Sequence, residues 1–90
     1  MGKDDPVAQI EQAFSNLERV LTATNLTFAD VVKLGFYVTS IDLLPAIREV
    51  RDRYVNTEQP PASTLVAGVG LFRPEFVFEV DALAIRAPRE

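Results

Sequence analysis

Apolar residues recur at steps of three and four in two stretches of the chain, which predicts two amphipathic helices. The first helix begins after Asp5, an N-cap residue followed by proline, and ends near Asn25. Its predicted buried stripe consists of Val7, Ile10, Ala13, Phe14, Leu17, Val20 and Leu21. Its solvent-exposed face carries the polar residues Gln9, Gln12, Asn16 and Arg19. The second helix runs from a cap at Ser40 or Asp42 to about residue 55 and buries Leu43, Ile47, Val50 and Tyr54.

Three other stretches have the pattern of β-strands, over residues 31–39, 62–69 and 76–86. In the first of them, Val32, Leu34, Phe36 and Val38 share one face, and the opposite face carries Val31, Lys33, Gly35, Tyr37 and Thr39. The glycine in mid-strand leaves room either for a β-bulge or for the close approach of another group. The order helix, strand, helix, strand, strand predicts one α+β domain over residues 1–90, with both helices on one face of a small mixed sheet.

The last predicted strand is apolar on both of its faces. One face carries Phe76, Phe78, Val80, Ala82 and Ala84, and the other carries Val77, Glu79, Asp81, Leu83 and Ile85. Strands with two apolar faces normally lie at the centre of a sheet that is covered on both sides. Because the two helices cover only one side, the second face and the open edges are expected to be association surfaces. The pattern therefore predicts self-assembly.

Two acids interrupt the second face of this strand. Glu79 and Asp81 stand two residues apart, so their side chains lie about 7 Å from each other. A carboxylate among apolar residues is paired, protonated or part of a site. Two interpretations stay open for Glu79: a carboxylate satisfied by backbone N–H groups or by an arginine of a neighbouring subunit, and a group that faces a ligand. Asp81 is interpreted as structural.

The amino-acid composition and the net charge exclude several kinds of functional site and partner. The 90 residues include no cysteine and no histidine, which excludes a disulfide, a thiol nucleophile, a thiolate metal site and a histidine general base. The net charge of −4 argues against nucleic acid or an anionic membrane as a partner. No apolar run approaches the ~20 residues that span a bilayer, and acids stand where a signal peptide has its apolar core. We expect a cytoplasmic protein without a cofactor.

The chain resembles the Rid family of reactive-intermediate deaminases, once labelled endoribonuclease L-PSP or translation initiation inhibitors. The segments that carry the resemblance are VVKLGFYVTSID (31–42), REVRDRY (48–54) and PPASTLVAGVGLFRPEFVFEVDALAIRA (60–87). The resemblance implies a chorismate-mutase-like fold and a homotrimer with small-molecule clefts between its subunits. Active members hydrolyse 2-imino acids to 2-keto acids and ammonia. In them an arginine binds the substrate carboxylate through two hydrogen bonds, and a glutamate positions the hydrolytic water.

Carried over by position, Glu79 matches the catalytic glutamate. The arginine has no counterpart, because its place falls at Ala62 or Ser63. Ser63 and Thr64 match a strand whose backbone lines the cleft in the family, and they are candidate ligand-binding residues. Arg73 is the nearest basic residue that could replace the lost arginine, although a loop arginine before a proline is also typical of a surface or salt-bridge position.

The chain departs from the family at the missing arginine and at the missing β-hairpin that usually precedes the first helix. Three hypotheses follow. The first is a Rid-like oligomer that binds a small metabolite in an inter-subunit cleft, with weak or absent 2-imino acid deaminase activity. The second is a hydrolase or deaminase of the same fold in which Glu79 acts on a substrate without a carboxylate. The third is a non-catalytic structural or interaction module. RNA cleavage has little support in an acidic chain without histidine.

Overall fold

The computed structural model describes residues 5–85, and their elements follow the predicted order. These elements are α1 (Pro6–Ala23), β1 (Val31–Val38), α2 (Leu44–Tyr54), β2 (Ala62–Ala67) and β3 (Phe78–Ala84). Single turns of 3-10 helix precede β1 and α2, at Phe28–Asp30 and Ile41–Leu43. The predicted end of the last strand at Arg86 lies outside the described residues.

The three strands form one mixed sheet in the order β2-β1-β3. β1 pairs in parallel with β2 and antiparallel with β3. The two helices pack on the face of this sheet that carries Leu34, Phe36 and Phe78. The fold is therefore the predicted α+β fold of the chorismate-mutase-like type.

The predicted central position of the last strand is wrong for the described residues, because β1 lies in the centre and β3 lies at an edge. Apolar residues on both faces of a strand indicate that both faces are covered. They do not indicate whether one or two strands are hydrogen-bonded to its edges, so they do not fix its position in the sheet. Helix α1 covers one face of β3, and no described strand pairs with its outer edge.

The core lies between the helices and the sheet and centres on Phe14, which is fully buried. Its ring contacts four other aromatic rings at centroid distances between 5.4 and 6.5 Å: Phe28, Phe36, Tyr54 and Phe78. Aromatic pairs of this kind contribute about 0.5–1.5 kcal/mol each beyond the area that they bury. Phe14 therefore connects α1, α2 and the sheet in one cluster.

Local signals set both ends of α1 as predicted. The Asp5 carboxylate accepts a hydrogen bond from the N–H of Ala8 at 3.1 Å and so caps α1. Asn25 follows that helix with a φ of 61°, the left-handed conformation that asparagine tolerates. The predicted cap of the second helix is wrong: Ser40 accepts from the N–H of Asp42 at 3.2 Å and so caps the 3-10 turn Ile41–Leu43, and α2 begins after Leu43 without a side-chain cap.

The faces of β1 differ from the prediction at the start of the strand. Val31 is buried in the core, and Val32, which was predicted to face the core, is 45% exposed. The pairing with β3 shifts register between Val31 and Lys33. A bulge of this kind inserts one residue and exchanges the two faces for the residues before it.

The buried face of α1 is rotated relative to the predicted stripe. Gln9, which was assigned to the solvent-exposed face, is buried, whereas Val7 and Val20 remain exposed. Gln9 is accommodated because its side-chain amide forms two hydrogen bonds with the chain that leads into β3. The amide nitrogen donates to the carbonyl of Glu75 at 2.9 Å, and the amide oxygen accepts from the N–H of Val77 at 3.0 Å. Val77, which was predicted on the face of the last strand that the helices do not cover, packs against the core instead.

Candidate functional site

The sheet face that points away from the helices, here called the open face, carries the candidate site. Three cross-strand rows lie on it: Ala62, Lys33 and Leu83; Thr64, Gly35 and Asp81; Val66, Tyr37 and Glu79. Leu83 on β3 and Ile85, just after it, remain 55% and 58% exposed in the single chain. The open face therefore combines polar groups at its centre with exposed apolar groups near its end.

Gly35 makes space for the side chain of Asp81. A Cβ atom at position 35 would collide with Oδ1 of Asp81 and would lie 3.2 Å from its Cγ. The same Cβ would lie 3.3 Å from the hydroxyl oxygen of Tyr37. The Asp81 carboxylate and the Tyr37 hydroxyl therefore meet above the glycine. Of the two roles that the sequence allowed for Gly35, the structure supports the close approach of another group.

The carboxylate of Asp81 raises the pKa of the Tyr37 phenol. The main cause is the repulsion between the Asp81 charge and a phenolate, and the hydrogen bond that the hydroxyl donates to Asp81 acts in the same direction. Partial desolvation and the charge of Glu79 add smaller contributions. At neutral pH Tyr37 is therefore a neutral hydroxyl, oriented by Asp81, on the open face.

Glu79 lies directly across from Tyr37 in the β1–β3 register. Its side chain is exposed, and it forms no salt bridge or hydrogen bond with another described residue. Among residues 5–85, no backbone N–H group holds the Glu79 carboxylate, which was one of the interpretations that the sequence left open. Its carboxylate is available to water, to a ligand or to a neighbouring subunit.

The other predicted ligand-binding residues lie in different places. Thr64 shares the open face with Glu79, but β1 lies between them and Glu79 belongs to the neighbouring row, so the two side chains are about 12 Å apart. Ser63 pairs with Leu34 and so belongs to the opposite face, where its hydroxyl donates to the Pro61 carbonyl at 3.4 Å. Arg73 lies in the exposed loop between β2 and β3, away from the three rows. Thr64 and Glu79 thus share a sheet face without touching, Ser63 and Arg73 lie elsewhere, and the contact of Thr64, Ser63 and Arg73 with a ligand stays a prediction.

Sequence reasoning missed two residues of the open face, Tyr37 and Lys33. Lys33 is the one cation in the three rows, and it lies directly across from Ala62, one of the two positions at which the resemblance led us to expect an arginine. It forms no salt bridge with a described residue. The alternation of β1 places Lys33 and Tyr37 on one face, but only the register shows which residues they lie beside.

Residues 5–85 contain no group of three or more histidine, cysteine, aspartate or glutamate side chains that could hold a metal ion. In the same range, no helix is both long and apolar enough to cross a membrane.

Comparison with known proteins identifies the family. Residues 1–86 match the family described as endoribonuclease L-PSP. Protein DfrA of Myxococcus xanthus is 38% identical over 85 residues, which cover 94% of this chain and 63% of that protein. The 2-iminobutanoate/2-iminopropanoate deaminase of Dermatophagoides farinae is 26% identical over 77 residues, 86% of this chain and 59% of that protein. The chain therefore belongs to the endoribonuclease L-PSP family, which is the Rid family that the sequence resembles.

A solved structure supports the same assignment. The YyfB protein of Yersinia pestis, a Rid family protein of unknown function, superposes with a TM-score of 0.81 and 34% identity over 89% of this chain and 62% of its own. The chain thus spans about 60% of the length of the relatives that it matches.

Proposed function

We propose that this chain is the subunit of an oligomeric Rid protein that binds a small metabolite in a cleft between subunits and has weak or absent 2-imino acid deaminase activity. One observation carries the proposal: Glu79 lies exposed on an uncovered sheet face, beside the oriented hydroxyl of Tyr37. A second subunit on this face would bury Leu83 and enclose Glu79 in a cleft. The name of the D. farinae relative supports the reaction class. A cytoplasmic location and a single domain over residues 1–90 belong to the same proposal.

The proposed chemistry is hydrolysis of an imine. Water adds to the carbon of the C=N bond, and ammonia leaves from the resulting carbinolamine to give a ketone. Glu79 would orient the water, accept its proton as a general base and return that proton to the nitrogen, so that the C–N bond breaks with ammonia as the leaving group while the carbinolamine hydroxyl loses its proton to form the C=O bond. Nothing else in the three rows is both anionic and unengaged, because the Asp81 carboxylate accepts from Tyr37.

Weak activity is proposed because the group that would orient the substrate is missing. An arginine binds a carboxylate through two parallel hydrogen bonds, and Ala62 and Ser63 cannot form them. Lys33, beside Ala62, offers a single ammonium on a flexible stem, which attracts an anion without fixing its orientation. Orientation of the reacting groups accounts for a large part of enzymatic rate enhancement.

A coupled assay tests this proposal. An amino acid lyase that depends on pyridoxal phosphate generates 2-iminopropanoate, and the decay of the imine is followed with and without the protein. We expect a rate only slightly above the uncatalysed one, which Glu79→Gln abolishes and Glu58→Gln, an exposed loop substitution, leaves unchanged. Ala62→Arg, on the open face, should raise the rate about tenfold or more, whereas Ser63→Arg, on the opposite face, should not. Fast turnover by the unmodified protein would contradict weak activity, and turnover that survives Glu79→Gln would contradict the role of Glu79.

A second candidate is a hydrolase or deaminase whose substrate lacks a carboxylate. The absence of an arginine at Ala62 and Ser63 favours it, because such a substrate needs no anion-binding group. The same assay with an imine of a neutral ketone separates the two candidates. Faster turnover of the neutral imine, lost in Glu79→Gln, would favour this second function.

A further inference from the structure

A shallow depression of about 360 Å³ on the open face brings together polar groups of all three strands. Its lining includes Lys33, Gly35 and Tyr37 of β1, Thr64 of β2, and Asp81 and Leu83 of β3. The Tyr37 hydroxyl and the Asp81 carboxylate meet within this lining, above Gly35. Glu79 lies directly across from Tyr37. The depression is therefore next to the carboxylate that is proposed to activate water.

The hydroxyl of Tyr37 faces this depression as a hydrogen-bond acceptor only. A phenol has one proton to donate, and Tyr37 donates it to Asp81. The charge of Asp81 also raises the pKa of the Tyr37 phenol, so the proton stays on Tyr37 at neutral pH. The lone pairs of the phenol oxygen remain available, and the carboxylate of Glu79 is likewise an acceptor. A ligand atom that lies between these two groups must therefore supply the hydrogens.

An imine and the ketone formed from it differ in this respect. The nitrogen of the imine carries one hydrogen, or two when it is protonated, whereas the oxygen of the ketone carries none. A carbonyl oxygen between two acceptors forms no hydrogen bond with either, and its lone pairs are repelled by theirs. A site that hydrogen-bonds an N–H or O–H group discriminates strongly against an analogue that lacks this group. Two facing acceptors therefore favour nitrogen over oxygen.

We propose that Tyr37 is a specificity-determining residue of the open face: its oxygen accepts a hydrogen bond from the ligand nitrogen, so the site binds a C=N–H group in preference to the C=O group of the same shape. Lys33 lies on the other side of Gly35 along β1, where its ammonium attracts the carboxylate of a 2-imino acid. This inference rests on the proposed function, because it assigns a ligand group to the same cleft.

Binding of stable analogues to the full chain, followed by NMR, tests the inference without any turnover. Oxamate and pyruvate have the same charge and nearly the same shape, but only oxamate carries an N–H donor. Acetamide and acetone form the corresponding pair without a carboxylate. In the pair that binds, we expect the N–H compound to shift signals of Tyr37 and Glu79. It should bind about tenfold more tightly than its partner, the effect of one hydrogen bond.

Two substitutions separate the hydroxyl of Tyr37 from its surroundings. Tyr37→Phe removes the oxygen and keeps both carboxylates, so the affinity ratio within each pair should fall from about ten to about one, with the ketone bound as before. Asp81→Ala keeps the hydroxyl and frees its proton for a carbonyl oxygen, which should also lower the ratio to about one or below. The lost charge affects both members of a pair equally. Tyr54→Phe is the matched control, because Tyr54 stacks on Phe14 in the core, and it should leave the ratio unchanged.

The possible results distinguish this inference from the proposed function. Equal affinity for the two members of a pair, or a preference that persists in Tyr37→Phe, would overturn the role of Tyr37 and leave the small-molecule cleft in place. An equal loss of both members in Tyr37→Phe would indicate a structural role and would also overturn the inference. If none of the four compounds binds to the open face, both the inference and the proposed cleft are wrong.

Discussion

The side chain of Asp81 occupies the space above Gly35 in which any other residue would carry its Cβ atom. This relationship joins the central strand to β3, and it brings the Asp81 carboxylate to the hydroxyl of Tyr37. Tyr37 in turn lies directly across from Glu79. The arrangement around Glu79 thus depends on a residue that has no side chain.

Gly35→Ala is expected to displace Asp81 and break its contact with Tyr37, which lowers the free energy of unfolding. Gly70→Ala is the matched control, because a Cβ at position 70 meets no atom within 4 Å. In an Asp81→Ala background, the effect of Gly35→Ala on the free energy of unfolding should change sign. Gly35→Ala should then stabilise the protein by about 0.5–1 kcal/mol, the usual gain when alanine replaces glycine inside a strand. Urea unfolding of the four variants measures these differences. Equal effects of Gly35→Ala in both backgrounds would contradict the contact.

The raised pKa of Tyr37 is expected to make stability depend on alkaline pH. The folded state holds the phenol proton more tightly than the unfolded state, whose pKa is near the ordinary 10.0. This contribution to stability is fully present below pH 10 and is lost as the pH rises through the folded value. Phenolate absorbance in a Tyr54→Phe background reports Tyr37 alone. Asp81→Asn should move the titration towards the ordinary value, and an unchanged curve would contradict the assigned cause.

Gln9→Ala is expected to destabilise the segment that leads into β3. The substitution removes both hydrogen bonds to the backbone around Phe76 and leaves the Val77 N–H without the Gln9 acceptor. The expected loss in free energy of unfolding is about 1–3 kcal/mol, because two hydrogen bonds are lost and a part-buried N–H loses its acceptor. Gln12→Ala removes a side chain that bonds the exposed Asn16 at 2.8 Å, and it should cost less than about 0.5 kcal/mol. Amide exchange at Val77 should accelerate in Gln9→Ala only.

Leu83→Lys is expected to dissociate the proposed oligomer. Burial of a leucine side chain contributes about 1.5–3 kcal/mol, and the loss of that amount weakens association up to about a hundredfold. Ile41→Lys is a control, because Ile41 is comparably exposed but lies in the turn before α2 and not on the open face. Sedimentation equilibrium measures the mass of each variant. If the unmodified protein is monomeric at high concentration, that result contradicts the proposed inter-subunit cleft.

The order of the elements, the ends of α1 and the α+β class were predictable from the sequence, because each depends on local signals. Asp5 and Asn25 act on the backbone beside them, and the apolar period of each segment depends only on its own residues. The family followed from three short segments in a fixed order. Glu79 was predictable as a candidate because a carboxylate in an apolar strand is costly unless it is paired, protonated or part of a site.

The neighbours of Glu79 were decided only by the tertiary structure. Strand register brings Tyr37 beside Glu79 and Lys33 beside Ala62, and register depends on pairings between residues that are far apart in sequence. The bulge before Lys33, the edge position of β3 and the burial of Gln9 are of the same kind. Alternation along a strand fixes which side chains share a face, but hydrogen bonds between strands fix which of them meet, and no single segment encodes those bonds.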